Sequence, residues 1–119
     1  MEYKELEVWL ETRKLNKYIF ETTCAFPNQE LYGLTNQMRR SAVSIVSNIA
    51  EGCGRDSVKD SIRFLFISRG SIYELETQLY LSFDQEYFTE QQLNFLLNQI
   101  SLCKKLLNGF INYFKKLDK

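Results

Sequence analysis

The chain has 119 residues, of which 45% are hydrophobic and 25% are charged. This composition is typical of a globular protein and excludes a disordered chain, and the length suits one domain with a single core. Fifteen basic and fifteen acidic residues cancel, so no overall electrostatic field draws the protein to nucleic acid or to an anionic membrane.

Four helical patterns follow one another along the chain, separated by three short breaks. The first predicted helix spans 4–26, where inner residues recur at spacings of three and four until Pro27 closes the helix. The second spans about 29–53 and begins between 28 and 35, because Gly33 leaves its first turn uncertain, and Gly52 with Gly54 end it. The inner residues are Val8, Thr12, Leu15, Ile19, Thr22 and Phe26 on the first helix, and Met38, Ala42, Ile45 and Ile49 on the second.

The last two helices begin at capping signals. Ser57 with Asp60 opens a third predicted helix at 57–82, and Thr89 with Gln92 opens a fourth at 89–117. Their inner residues are Leu65, Ser68, Ile72, Leu75 and Leu79 on the third, and Leu93, Leu96, Ile100, Cys103, Leu107, Phe110, Phe114 and Leu117 on the fourth. Short connections force long neighbouring helices to run antiparallel, so we predict an all-α protein, a single antiparallel up-down-up-down four-helix bundle.

The cysteines and the apolar runs indicate a cellular compartment. Cys24, Cys53 and Cys103 are widely spaced and form no Cys-x-x-Cys pattern, so we expect reduced, buried thiols rather than a disulfide framework or a zinc site. No apolar run approaches the roughly 18 residues that span a bilayer. The charged start of the chain does not resemble a signal peptide. We therefore expect a cytoplasmic protein with no membrane contact.

The sequence contains no convincing active site. Di-iron bundles need Glu-x-x-His pairs, and the chain has no histidine, which removes that metal site and histidine-ligated haem. Ser41, Ser44 and Ser47 lack an activating histidine and a Ser-x-x-Lys pattern, and small hydroxyls at that spacing more often mark close helix contact. No phosphate-binding glycine motif occurs. We expect no catalysis, no metal and no cofactor.

A set of polar side chains flanks the predicted seams between the second and third helices. Charges beside a core are costly unless they are paired, so we expect an ion-pair and hydrogen-bond network. Such a network either fixes helix register or forms a functional or subunit-contact surface. Its candidate members are Arg39, Arg40, Ser44, Asn48, Glu51, Arg69, Glu74 and Glu76.

A hairpin around Gly54 predicts specific pairs within this network. Position 40 then faces about position 70, which brings Arg39 or Arg40 towards Glu74 or Glu76. Arg69 is expected to approach the polar line of Ser44.

Two surfaces are candidates for macromolecular contact. Nine Phe, seven Tyr and one Trp exceed what a narrow core hides, and Phe64, Phe66 and Ile67 spread apolar surface around the third helix, which predicts self-association. The fourth helix is mildly basic, which either complements the acidic first helix or supports weak, salt-sensitive RNA binding. The candidate RNA contacts are Lys104, Lys105, Lys115 and Lys116.

Two long segments of the chain resemble a known family. These are Leu34-Thr-Asn-Gln-Met-Arg-Arg-Ser-Ala-Val-Ser-Ile-Val-Ser-Asn-Ile-Ala-Glu-Gly52 and Phe64-Leu-Phe-Ile-Ser-Arg-Gly-Ser-Ile-Tyr-Glu-Leu-Glu76, with weaker matches at Leu6-Glu-Val-Trp9 and Phe26-Pro27. They resemble the four-helix-bundle proteins encoded within intervening sequences of bacterial 23S ribosomal RNA genes.

This resemblance implies a small cytoplasmic bundle that assembles as a ring-like homopentamer, with no established enzymatic activity. A related branch, the accessory proteins of diversity-generating retroelements, implies the alternative of binding to nucleic acid and a reverse transcriptase. That branch is markedly basic, whereas this chain is neutral. The motif residues carried over as structural or contact residues are Arg39, Arg40, Asn48, Glu51, Arg69 and Glu74.

Overall fold

The computed structural model describes residues 1–118 as four long helices joined by short turns, with no strand in that range. The helices are α1 (Glu7–Thr23), α2 (Leu34–Cys53), α3 (Val58–Asp84) and α4 (Glu90–Leu117). Short 3-10 turns at Tyr3–Glu5 and Asn28–Glu30 precede α1 and α2. The bundle measures 48 × 25 × 21 Å. The predicted all-α fold is confirmed.

Side-chain contacts show that consecutive helices are antiparallel. Between α2 and α3, Ser41 contacts Glu74 and Ser44 contacts Ser71. Residue numbers therefore increase along α2 while those of their partners decrease along α3, as in antiparallel helices. The other pairs of adjacent helices follow the same rule. The contacts are Arg39–Thr23 for α1–α2, with Cys53 reaching Met1 just before α1, Glu76–Lys104 and Arg69–Asn108 for α3–α4, and Glu11–Gln99 and Tyr18–Phe95 for α1–α4.

The core is the apolar stripe of each helix. Every predicted inner residue of α2 and α3 is buried, and Ser68 is buried because its hydroxyl donates to the carbonyl of Ile45 at 2.7 Å. On α4, Ile111 is buried in place of Phe110, which is half-buried, and Leu117 is exposed. On α1, Thr23 rather than Thr22 is buried. Periodicity therefore predicted the core apart from shifts near helix ends.

Two predicted helix ends were wrong, both on α1. Helix α1 stops at Thr23 instead of 26, because the amides of Ala25 and Phe26 bond to carbonyls three residues back, and Pro27 disfavours helical geometry in the residue before it. At its start, a 3-10 turn replaces the first residues of the predicted helix. Helix α2 begins at Leu34, after a separate 3-10 turn, and this start lies within the predicted interval 28–35.

Gly52 has a role different from the one predicted. It lies inside α2 and is buried, while Gly54 occupies the C-cap. A Cβ at Gly52 would lie 3.1 Å from the carbonyl oxygen of Ser61 and 3.3 Å from Leu65 Cδ2. Glycine is therefore needed here for the close approach of α2 and α3, not for ending the helix.

The predicted N-terminal caps of α3 and α4 are present. Ser57 Oγ accepts from the backbone N–H of Asp60 at 3.1 Å. Thr89 and Gln92 form a reciprocal capping box, with bonds of 3.1 and 2.8 Å. Within residues 1–118, no helix combines the length and the apolar character that a membrane span requires.

Candidate functional site

A groove with a mostly polar lining lies between α2 and α3. It has a volume of about 520 Å³, within the range of small-molecule sites. Helix α2 and the turn before it contribute one wall, and α3 contributes the other. The α2–α3 groove is lined by Tyr32, Asn36, Gln37, Arg40, Ser41, Ser44, Ser71, Glu74 and Gln78.

Hydrogen bonds fix one end of this groove. The hydroxyls of Ser44 and Ser71 lie 2.9 Å apart, and Asn48 Nδ2 donates to the carbonyl oxygen of Ser44 at 2.8 Å and to its hydroxyl at 3.0 Å. A carbonyl oxygen only accepts, so the amide nitrogen of Asn48 must face Ser44. The Ser44–Ser71 contact joins α2 to α3, whereas the bonds of Asn48 to Ser44 lie within α2.

Two opposite charges line the groove without pairing to each other. Among residues 1–118, Arg40 makes no ion pair, and Glu74 accepts only a weak 3.4 Å hydrogen bond from Ser41 Oγ. Both residues are exposed. The groove therefore presents a free guanidinium and a nearly free carboxylate to whatever enters it.

A buried amide completes the site. Gln78 is only 7% exposed, and its Oε1 has no hydrogen-bond partner within the described part of the chain. Buried polar atoms are nearly always satisfied, and leaving one unpaired is costly. A residue that lines the groove thus carries a buried acceptor without a partner among residues 1–118.

The predicted pairing of Arg39 with Glu74 or Glu76 was wrong. Arg39 turns to α1, where Nε donates to Thr23 Oγ1 at 2.9 Å, Nη2 donates to the Phe20 carbonyl at 3.3 Å, and the guanidinium lies 4.8 Å from the Phe20 ring centroid. Because Arg39 and Arg40 are adjacent, they point to different sides of α2. Arg39 therefore joins α2 to α1, and Arg40 alone reaches the groove.

The register of α2 and α3 also differs from the prediction. Ser41 faces Glu74 and Ser44 faces Ser71, so the hairpin turns beyond Gly54, within the four residues that separate the helices. Arg69 consequently does not approach Ser44. Its Nη1 donates to Asn108 Oδ1 of α4 at 3.2 Å.

The remaining network carboxylates pair elsewhere. Both oxygens of Glu76 accept from Lys104 Nζ of α4, at 2.8 and 2.9 Å. Glu51 pairs with Arg55 near the end of α2. The eight candidate residues therefore do not form one network but separate α1–α2, α2–α3 and α3–α4 contacts, together with the local Glu51–Arg55 pair.

A second surface lies along the side of α3 that faces α4. Phe66, Tyr73 and Tyr80 are spaced by seven residues, which is two helical turns, and are 40%, 51% and 49% exposed. Cations lie beside this α3 aromatic line: the guanidinium of Arg69 is 4.8 Å from the Phe66 centroid, and Lys104 Nζ is 4.5 Å from that of Tyr73. Exposed Ile67 and half-buried Phe64 confirm that the apolar surface extends around α3.

The four candidate RNA contacts are not equivalent. Lys104 is half-buried and neutralised by Glu76. Lys105, Lys115 and Lys116 are exposed and make no ion pair within residues 1–118, and Lys115 Nζ lies 5.5 Å from the Phe66 centroid. The accessible basic surface is therefore smaller than the sequence suggested.

The cysteines differ in exposure. Cys103 is buried, and burial raises the pKa of its thiol to about 12. Cys53 is half-buried, and burial again raises its pKa. Cys24 is exposed, which corrects the expectation that it is buried. Within residues 1–118, no three cysteine or carboxylate side chains lie close enough together to hold a metal ion.

Sequence reasoning missed most of the groove. Tyr32, Asn36, Gln37, Ser71 and Gln78 were not among the candidates. One signal was available, because Ser71 and Gln78 are seven residues apart, and therefore lie on one line of α3 beside its apolar stripe. Sequence reasoning also missed Thr23 and Asn108, which bond to charged residues of other helices, because helical periodicity does not show which helices pack together.

Comparisons with known proteins agree with the fold. The 23S rRNA-intervening sequence protein family matches residues 4–109. The crystal structure of a protein with unknown function from the S23 ribosomal protein family of Bacteroides thetaiotaomicron is 27% identical, with a TM-score of 0.81. The match covers 88% of this chain and 95% of that chain. Among curated proteins, none matches. The chain belongs to the 23S rRNA-intervening sequence protein family.

Proposed function

We propose that this protein is a cytoplasmic, non-enzymatic bundle that acts as a homo-oligomer and through macromolecular contact, with a pentamer as the favoured assembly. The observation that carries this proposal is the α3 aromatic line. Phe66, Tyr73 and Tyr80 stay about half exposed in the single bundle. Their 14-residue span covers about 21 Å of helix, at about 1.5 Å per residue.

A second copy of the chain is the occupant that we propose for this line. The chain has no net charge, so its copies do not repel one another at long range. Exposed apolar surfaces of this kind mark interaction sites, and a stable interface needs roughly 800 Å² from each partner. The aromatic line supplies the centre of such an interface.

A closed ring needs two different contact surfaces on each copy. The other side of α4, beside α1, carries Phe95, Leu102 and Tyr113, which are 55%, 36% and 48% exposed. These residues share one line of α4 by helical spacing. One apolar surface at each side of α4 supports a head-to-tail ring, and the family resemblance supports five copies.

The mass in solution tests the assembly. Light scattering and native mass spectrometry at micromolar concentration are expected to give five times the 14.1 kDa of the chain. A stable ring of another size contradicts the pentamer but keeps self-association. A monomer across the whole concentration range contradicts both.

Charge on the aromatic line tests the surface. Phe66→Asp is expected to weaken assembly about tenfold or more, because a carboxylate is costly to bury between subunits, while the helical content stays unchanged. Val43→Asp is the matched control, since Val43 has similar exposure (45%) but lies on α2, away from both apolar surfaces. Equal disruption by both substitutions contradicts the proposed surface.

RNA binding is the second candidate function. Exposed Lys105, Lys115 and Lys116 favour it, because accessible cations neutralise phosphates. A ring would repeat this modest patch in every copy, so that weak contacts add together. We propose weak, salt-sensitive binding to structured RNA without base-specific readout.

A further inference from the structure

We propose that the α2–α3 groove binds a small zwitterion, and specifically a free α-amino acid. This inference goes beyond assembly and rests on the groove alone. The groove combines a buried acceptor and two charges of opposite sign, none of which has an ion-pair or strong hydrogen-bond partner among residues 1–118.

The buried amide of Gln78 points to a ligand that donates hydrogen bonds. Gln78 lines a groove of about 520 Å³ and is only 7% exposed, and its buried Oε1 has no partner in the described chain. When the Gln78 amide turns towards the groove, a hydrogen-bond donor bound there pairs with this oxygen and removes the penalty of leaving it unpaired. An ammonium group carries three such donors.

The two charges select a ligand with both signs. Arg40 presents a planar fork of N–H donors that matches a carboxylate, and Glu74 presents a carboxylate that matches an ammonium group. They line one groove without pairing to each other. A simple anion would leave Glu74 unpaired, and a simple cation would leave Arg40 unpaired, whereas an α-amino acid pairs with both.

The hydroxyls of the groove supply the remaining contacts. Ser41 Oγ already donates to Glu74 at 3.4 Å, a distance that leaves the carboxylate free to accept stronger bonds. Ser71 lines the groove, where its hydroxyl lies 2.9 Å from that of Ser44. These groups surround the charged ends of a ligand with further donors and acceptors, which small-molecule sites use to fix orientation.

Binding is tested with the full-length protein in its native assembly. Saturation-transfer NMR uses each standard amino acid as a probe at millimolar concentration, together with its N-acetyl and carboxamide derivatives. At least one amino acid is expected to bind, and blocking either its ammonium or its carboxylate is expected to weaken binding about tenfold or more, because one charged pair is lost. Absence of binding by every amino acid overturns the proposal, as does equal binding of the blocked derivatives.

Variants locate the site. Arg40→Gln and Glu74→Gln change exposed side chains and are each expected to weaken binding about tenfold or more. Arg13→Gln, an exposed arginine of α1 outside the groove, is expected to leave binding unchanged. Binding that survives both groove variants overturns the proposal. If the Phe66→Asp variant binds the amino acid and the wild-type assembly does not, the proposal is also overturned, because a neighbouring copy then fills the groove.

Gln78 provides an independent measurement. Gln78→Met removes the unpaired oxygen at similar volume, so we expect the ligand-free protein to melt at a higher temperature while amino-acid binding weakens. Asn16→Leu is the control, because Asn16 Oδ1 is the other unpartnered buried amide oxygen among residues 1–118 and lies on α1. It is expected to leave binding unchanged. Unaltered binding by Gln78→Met contradicts the role of this residue.

Discussion

The phenol of Tyr87 donates a 2.7 Å hydrogen bond to Oε2 of Glu30, which lies 57 residues earlier in the chain. The other carboxylate oxygen of Glu30 accepts from the backbone N–H of Leu34 at 3.1 Å. Gly33, the N-cap of α2, has no side chain to do this. One carboxylate therefore caps α2 and ties the turn before it to the turn between α3 and α4.

The Glu30–Tyr87 bond is expected to make stability depend on pH at both extremes. The bond from Tyr87, and then the Leu34 amide, lower the pKa of Glu30 below its ordinary 4.5. This contribution is therefore complete above pH 4.5 and is lost as pH falls through the lowered value. The bond to Glu30 also raises the pKa of Tyr87 above its ordinary 10.0. The contribution is therefore complete below pH 10.0 and is lost as pH rises through the raised pKa.

Tyr87→Phe removes the bond and tests this linkage. The difference in unfolding free energy between wild type and variant, from urea titrations, is expected to be constant near neutral pH and to shrink at both extremes. Tyr32→Phe is the control, because Tyr32 is 90% exposed. A difference that does not change with pH shows that packing of the ring, rather than the hydrogen bond, is responsible.

Gly52→Ala is expected to destabilise the bundle by about 1–3 kcal/mol, because the added methyl meets the Ser61 carbonyl and Leu65 and forces α2 away from α3. Gly109→Ala is the matched control. It also lies within a helix, but nothing lies within 4 Å of its added Cβ, so it should stabilise by about 0.5–1 kcal/mol. Chemical denaturation measures both, and a stabilising Gly52→Ala contradicts the close approach.

The three thiols are expected to react in order of exposure. At pH 8, a chromogenic disulfide reagent should label exposed Cys24 first and half-buried Cys53 more slowly. Cys103 should react only on unfolding, because its thiol is buried and its pKa is raised to about 12. Rates measured for single Cys→Ser variants assign each phase. Rapid labelling of Cys103 in the folded protein would show that the core opens easily.

Any RNA binding should be weak and should depend strongly on salt. Affinity for a structured RNA, from fluorescence anisotropy across about 50–200 mM salt, is expected to fall steeply as cations are released from phosphates. Replacing Lys105 and Lys116 by Glu should weaken binding without altering helical content, since both lysines are exposed and unpaired among the described residues. Nanomolar binding that barely changes with salt contradicts this expectation.

The sequence by itself determined the helices and most of their inner faces. Apolar residues at spacings of three and four, with the caps at Ser57 and Thr89, predicted α3 and α4 to within two residues at each end. These signals are local, because a helix forms its hydrogen bonds within one segment. For the same reason, Pro27 and Gly33 marked a break between the first two helices but did not show the 3-10 turn within it.

Only the tertiary structure decided which polar groups meet. A helix presents Arg39 and Arg40 to different sides, and the choice between Thr23, Glu74 and Asn108 as partners depends on register between helices. Here the register follows from the close approach at Gly52 and from the length of the turn before Val58. The α2–α3 groove and its unpaired charges arise from that register, because side chains far apart in sequence become neighbours only when the helices pack.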